Sequence, residues 1–233
     1  MKKKILTIIS ILLIICSLTL CIKFYVDNNA SHKVTKTTKV VKVKKDDDKV
    51  DITKLQNEYN NSDIIAYIEI PNVLSTPVVQ TSDNDYYLSH DLRKNYDIKG
   101  SVYLDYRNKL NDKKILLYGH SGKEQELPFL QLNKYIDESF YKEHKYIYLH
   151  TKEEKRKYLI FSSYIETEDY DYVNLNSFNG LSWTEHLNKL KNKSNYKVDV
   201  NIDDNSKIII LQTCSMNNER IGNFHLVIGL EIR

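Results

Sequence analysis

Ile208-Ile209-Ile210-Leu211-Gln212-Thr213-Cys214 is a run of four large apolar residues that passes into Gln-Thr-Cys. An apolar run this short, rich in β-branched residues and bounded by polar ones, reads as a strand buried on both faces. Ile115-Leu116-Leu117-Tyr118-Gly119-His120 is a second run of the same kind, and it ends in Gly-His. Working outward, the pattern recurs at Ile64–Ile70, Thr76–Gln80, Ser101–Asp105, Lys145–Leu149, Tyr158–Ile165, Tyr196–Ile202 and Phe224–Ile232, each short, rich in β-branched or aromatic residues and bounded by turn formers. Many short strands with few helices point to a mainly β fold, a barrel or sandwich with helices at its edge.

Three helices are expected. Ile52, Leu55 and Tyr59 have helical spacing. Pro128 to Glu143 carries Phe129, Leu132, Ile136 and Phe140 on one helical face. Ser182-Trp183-Thr184-Glu185 is a capping box, in which serine and glutamate each satisfy a free backbone N–H; Trp183, Leu187 and Leu190 follow as its apolar stripe.

The N-terminus has a different character. Met1-Lys2-Lys3-Lys4 precedes an apolar run from Ile5 to Ile22, which as a helix rises about 27 Å, close to the roughly 30 Å of a bilayer core. It ends without the small-residue site of a cleaved signal peptide. Residues 1–25 therefore read as an uncleaved membrane anchor. Residues 26–50, lysine-rich and low in complexity, read as a polar linker that cannot bury enough surface to order itself. Residues 51–233 are the folded domain. Lys2 to Lys4 favour a cytoplasmic N-terminus, although the lysines at 33, 36, 39, 42, 44 and 45 count the other way.

The 34 basic and 31 acidic side chains leave a net charge of only +3. No concentrated basic surface results, so a nucleic-acid partner is not expected. Of the three cysteines, two lie in the apolar span and one, Cys214, in the domain. A lone domain cysteine forms no internal disulfide; it is either an inert buried thiol or a reactive one. Its reactivity would require a nearby cation that favours the thiolate. His120, at the end of another strand, and Arg220, six residues past the cysteine in a polar stretch, are the available partners.

The Thr213-Cys214 strand end and Tyr118-Gly119-His120 occur together with Asp83-Asn84-Asp85-Tyr86-Tyr87-Leu88, with Gly100-Ser101-Val102-Tyr103-Leu104-Asp105-Tyr106-Arg107-Asn108, and with Phe161-Ser162-Ser163-Tyr164. In this order the set resembles the sortase family, class B, from about Leu55 to Gly229. The resemblance implies a closed β-barrel of about eight strands with peripheral helices. It implies a cysteine transpeptidase that cuts the C-terminal sorting signal of a secreted protein after a threonine. The acyl group then passes to an amine of the cell-wall peptide cross-bridge. Cys214 would attack, His120 would protonate the leaving amine and Arg220 would stabilise the oxyanion. Asn84, Leu88, Tyr172 and Gln212 would line the peptide groove. No metal or cofactor is implied. The domain would lie outside a Gram-positive cell on a single-pass anchor.

The arginine departs from the family pattern, which places it at the start of the last strand; that position falls on Phe224 or His225 here. Arg220 is the available arginine, and His225 is held in reserve. The remaining histidines read as structural or surface residues: His144 as a helix cap, His186 on the capped helix beside Trp183, and His32, His90 and His150 on the surface. Asp105 with Arg107 reads as a structural turn pair. A surface peptidase transferring to water, or a binding module without catalysis, would share much of this sequence; the second would leave Cys214 and His120 far apart.

Overall fold

The structure, a computed structural model, describes residues 49–122, 126–214 and 223–232. The compact body begins at Lys49. The expected anchor and nearly all of the expected linker lie outside the described residues, as does His32. Among the described residues no helix is long and apolar enough to cross a membrane.

Eight strands close into a barrel: β1 (Ile64–Ile70), β2 (Leu74–Val79), β3 (Val102–Leu104), β4 (Lys114–Tyr118), β5 (Tyr146–His150), β6 (Lys155–Glu166), β7 (Ile208–Cys214) and β8 (Phe224–Ile232). Around the barrel the order is β1-β2-β3-β4-β7-β8-β6-β5. The β2–β3 and β4–β7 pairs are parallel and the others antiparallel. β7 is apolar throughout its first four residues because both of its faces are covered. Ile209 and Leu211 join the barrel interior with Ala66, Ile68, Ile115, Leu117 and Val227. Ile208 and Ile210 face outward into a second cluster with Leu116, Tyr172, Leu187, Leu190 and Leu226.

That outer cluster is roofed by α3 (Trp183–Asn192), which Ser182 and Glu185 open with the full capping box. α1 (Ile52–Tyr59) covers a third cluster containing Ile64, Val79 and Tyr87. α2 (Glu138–Glu143) is a single short helix.

Two expected elements take another form. The segment expected as one helix from Pro128 to Glu143 is a 3₁₀ stretch, Leu130–Ile136, followed by α2. Asp137 between them is extended and caps α2 with its own carboxylate. A 3₁₀ turn repeats every three residues, so Phe129, Leu132 and Tyr135 point inward and Ile136 is left exposed. Tyr196–Ile202 is not a strand. Its apolar residues pack on the two main clusters, and Tyr196 stacks on Tyr141 at 4.6 Å. No ladder is open to it there, because β7 is already paired with β4 and β8. His150, expected on the surface, is buried, and its Nδ1 accepts the Val50 N–H at 3.1 Å. The entering chain covers it.

Candidate active site

β4 and β7 lie side by side and parallel, in register from Lys114 opposite Ile208 to Tyr118 opposite Gln212. Two residues further along each chain stand His120 and Cys214. Adjacent strands are about 4.8 Å apart, so this register brings the two positions side by side at one rim of the barrel. The pairing continues past the last rung: the Gly119 N–H donates to Gln212 O at 3.2 Å, and the Thr213 hydroxyl donates to Gly119 O at 2.8 Å. Strand alternation puts Gln212 in the outer row of β7 begun by Ile208 and Ile210, and Tyr118 in the outer row of β4.

The glycine before His120 has a packing cause. A Cβ there would lie 2.7 Å from Phe129 Cγ and 2.8 Å from Cδ2. The Phe129 ring thus rests directly on the backbone of Gly119, and the Phe129 N–H donates to His120 O at 2.9 Å. The imidazole itself is fixed by Leu88, whose carbonyl lies 2.8 Å from His120 Nε2.

The expected groove residues divide into two kinds. Leu88 is exposed beside His120, and Gln212 precedes Cys214 by two residues. Tyr172 is buried, and its hydroxyl donates to Gln212 Oε1 at 2.9 Å. Asn84 is committed to the scaffold: its Nδ2 donates to Asp105 Oδ2 at 3.2 Å and its Oδ1 accepts the Tyr106 N–H at 2.9 Å. Arg220 lies outside the described residues, as does the rest of the stretch from 215 to 222.

His225, the reserve position, is enclosed in the barrel and does not serve the site. It opposes Thr213 in the ladder, is fully buried, and bonds Ser163 Oγ through Nε2 at 2.8 Å. Burial pushes its imidazole down to about 4. A ring held neutral inside the barrel is not a cationic oxyanion donor at neutral pH.

Asp105 carries more than the turn read from sequence. Its side chain is fully buried and takes a two-pronged bond from Arg107, at 2.9 and 2.7 Å. It also accepts the Tyr118 hydroxyl at 2.8 Å. Burial opposes ionisation of this carboxyl, but the bonds from Arg107 and Tyr118 hold it below the usual carboxylate range. Burial, with Asp105 next to it, pushes the Tyr118 phenol up. Arg107 also donates to Val173 O at 3.1 Å, next to Tyr172. One carboxylate therefore ties together the turn that carries Leu88, the strand that carries His120 and the segment that holds Gln212.

No protein-family model matches the chain. Sortase B of Staphylococcus aureus is 32% identical over 157 residues, which are 66% of this chain and 64% of that relative. The match thus spans less than two thirds of the curated relative's length. A solved Staphylococcus aureus sortase B–substrate complex superposes with a TM-score of 0.70 at 29% identity, over 78% of this chain and 84% of that one. The crystal structure of Clostridium perfringens sortase B superposes with a TM-score of 0.70 at 30% identity, over 78% of this chain and 99% of that one. With the barrel order, the strand-end positions of His120 and Cys214 and these likenesses together, the chain belongs to the sortase B family.

Proposed function

We propose that this protein is a membrane-anchored cysteine transpeptidase that cleaves a sorting signal after threonine and passes the acyl group to a cell-wall amine. The observation that carries the reading is the parallel β4–β7 pair, whose register sets the His120 and Cys214 positions side by side at one rim of the barrel. A thiol becomes a good nucleophile as thiolate, and an adjacent imidazolium favours that form. In this reading the Cys214 thiolate adds to the threonine carbonyl, and the tetrahedral intermediate collapses to a thioester as His120 protonates the leaving amine. An acceptor amine then attacks the thioester, gives its proton to His120 and releases the thiolate. Arg220 supplies a fixed cationic donor where charge develops on the carbonyl oxygen.

Leu88 and Gln212 border the peptide; Asn84 and Tyr172 act through the scaffold contacts that hold these walls. A solved sortase B holds a substrate and another holds triglycine, which supports a peptide donor and an amine acceptor for this chain. Residues 1–25 serve as the anchor, 26–50 as the linker and 51–233 as the catalytic domain, outside the cell.

Mass spectrometry of the protein mixed with threonine-containing sorting peptides tests this. The expected product is an acyl adduct on Cys214, discharged to an amide when triglycine is added and absent from Cys214→Ala. Cleavage that persists in Cys214→Ala would sink the nucleophile. A thioester that only water discharges would make the protein a peptidase.

A further inference from the structure

We propose that the main-chain carbonyl of Leu88 is the orienting partner of His120, so that Nε2 keeps its proton throughout and Nδ1 is the nitrogen that exchanges protons with sulfur and amine. This deepens the transpeptidase reading and rests on it. A carbonyl oxygen can only accept a hydrogen bond. At 2.8 Å from Leu88 O, Nε2 must therefore be the donor, in the neutral ring as well as in the imidazolium. Fixing one ring nitrogen fixes the role of the other. Nδ1 is left to take the proton from the thiol, give it to the leaving amine and receive another from the acceptor amine, each transfer leaving Nε2–H unchanged. In many nucleophile–histidine pairs a third group orients the base; a backbone carbonyl takes that place here.

The carbonyl is held as a fixed group would be. Leu88 ends a 3₁₀ turn, Tyr86–Leu88. Asp83 Oδ1 anchors the start of this turn by accepting the N–H groups of Asp85 and Tyr86 at 2.9 and 2.8 Å. Tyr87 is buried, with its hydroxyl between Asn61 and Asp63. Its carbonyl accepts the Ser101 N–H at 2.9 Å. Gly100 lies directly beneath: its φ is +60°, and a Cβ there would come within 2.5 Å of Tyr87 O and 2.7 Å of Leu88 O. Those contacts are with backbone, so a side chain at 100 must displace the carbonyl that holds the imidazole. His120 is fixed from the other side by Phe129 and Gly119.

Nitrogen-15 NMR of histidine-labelled protein tests the assignment, with the His120 signals identified by their loss in His120→Gln. The expected neutral ring is protonated at Nε2 and bare at Nδ1. A ring protonated at Nδ1, or an even mixture, overturns the proposal, and the wild-type spectrum decides this without any variant at position 100. Gly100→Ala adds a second arm. In folded protein it should lose the tautomer preference and lower kcat for acylation at least about tenfold, with KM for the peptide little changed. A folded Gly100→Ala with wild-type tautomer and kcat also overturns it. Acylation of Cys214 is read separately. Its absence in the wild-type protein would sink the transpeptidase reading and the proton-exchange role with it. A wrong tautomer with normal acylation would sink only the orienting role.

Discussion

At the scale of single residues, the site is built from close contacts that leave little freedom. Gly119→Ala forces a methyl to within 2.7 Å of the Phe129 ring. Overpacking of this kind costs about 1–3 kcal/mol, and the displaced backbone is that of His120. Urea denaturation should show the loss, and Phe129→Leu in the same chain should restore part of it; a single variant as stable as wild type would show that the ring yields freely. Arg220 belongs to the proposed oxyanion site. Arg220→Lys keeps charge but not the planar fork of donors, so Arg220→Lys and Arg220→Ala should both lose about 10²–10³ in kcat. Near-normal turnover in Arg220→Ala would exclude the role and leave the oxyanion to backbone N–H groups beside Cys214. The two strand-end residues were legible because each closes an apolar run. The part played by Asp105 was not. Sequence spacing shows its partner Arg107 two residues on, but Tyr118 and Asn84 reach it only through the closed barrel.

Among elements, the runs that sequence marks most strongly are those buried on both faces, β4 and β7, and they are the ones that carry the site. Tyr196–Ile202 alternates apolar and polar residues as a half-buried strand does, yet it has no ladder. Periodicity reports which side chains are covered, and a loop lying across a core can be covered as well as a strand. The Pro128–Glu143 segment fails for a related reason. Its apolar positions fit a period of three as well as one of 3.6, and the cap at Asp137 decides between them. The capping box of α3 was legible because its signal is local. The Ser182 hydroxyl accepts the Glu185 N–H at 3.3 Å, and the Glu185 carboxylate accepts the Ser182 N–H at 2.8 Å. Ser182→Ala should cost about 1 kcal/mol, seen as a lower urea midpoint with an unchanged m-value. No loss at all would show that helix packing through Leu187 and Leu190 alone fixes this end.

For the whole molecule, the sharpest consequence of the fold is its response to acid. Three histidines, His150, His186 and His225, are fully buried. Burial is the leading cause that pushes them down, to about 4, about 3 and about 4. For His150, Lys155 and Lys49 add to burial. For His186 the neighbouring Lys114 adds to it. A depressed imidazole pKa means that the folded protein prefers the neutral ring. Above about pH 6.5 the unfolded chain is neutral at these positions too, and nothing is lost. As pH falls from 6.5 towards 4, the unfolded chain binds protons that the folded one refuses, and stability drops; below the folded value the slope ends. For His225, where burial is the only cause, the fall to about 4 is worth roughly 3 kcal/mol. Several such groups acting together rival the about 5–15 kcal/mol that holds a domain folded. The barrel should therefore unfold in mild acid, with its urea midpoint falling steeply between about pH 6.5 and about 4.5. His225→Gln can keep a hydrogen bond to Ser163 without gaining charge, so it should flatten this slope by about one proton. Urea titrations of both proteins across that range measure it. An unchanged slope in the variant would mean that His225 already carries its proton inside the barrel.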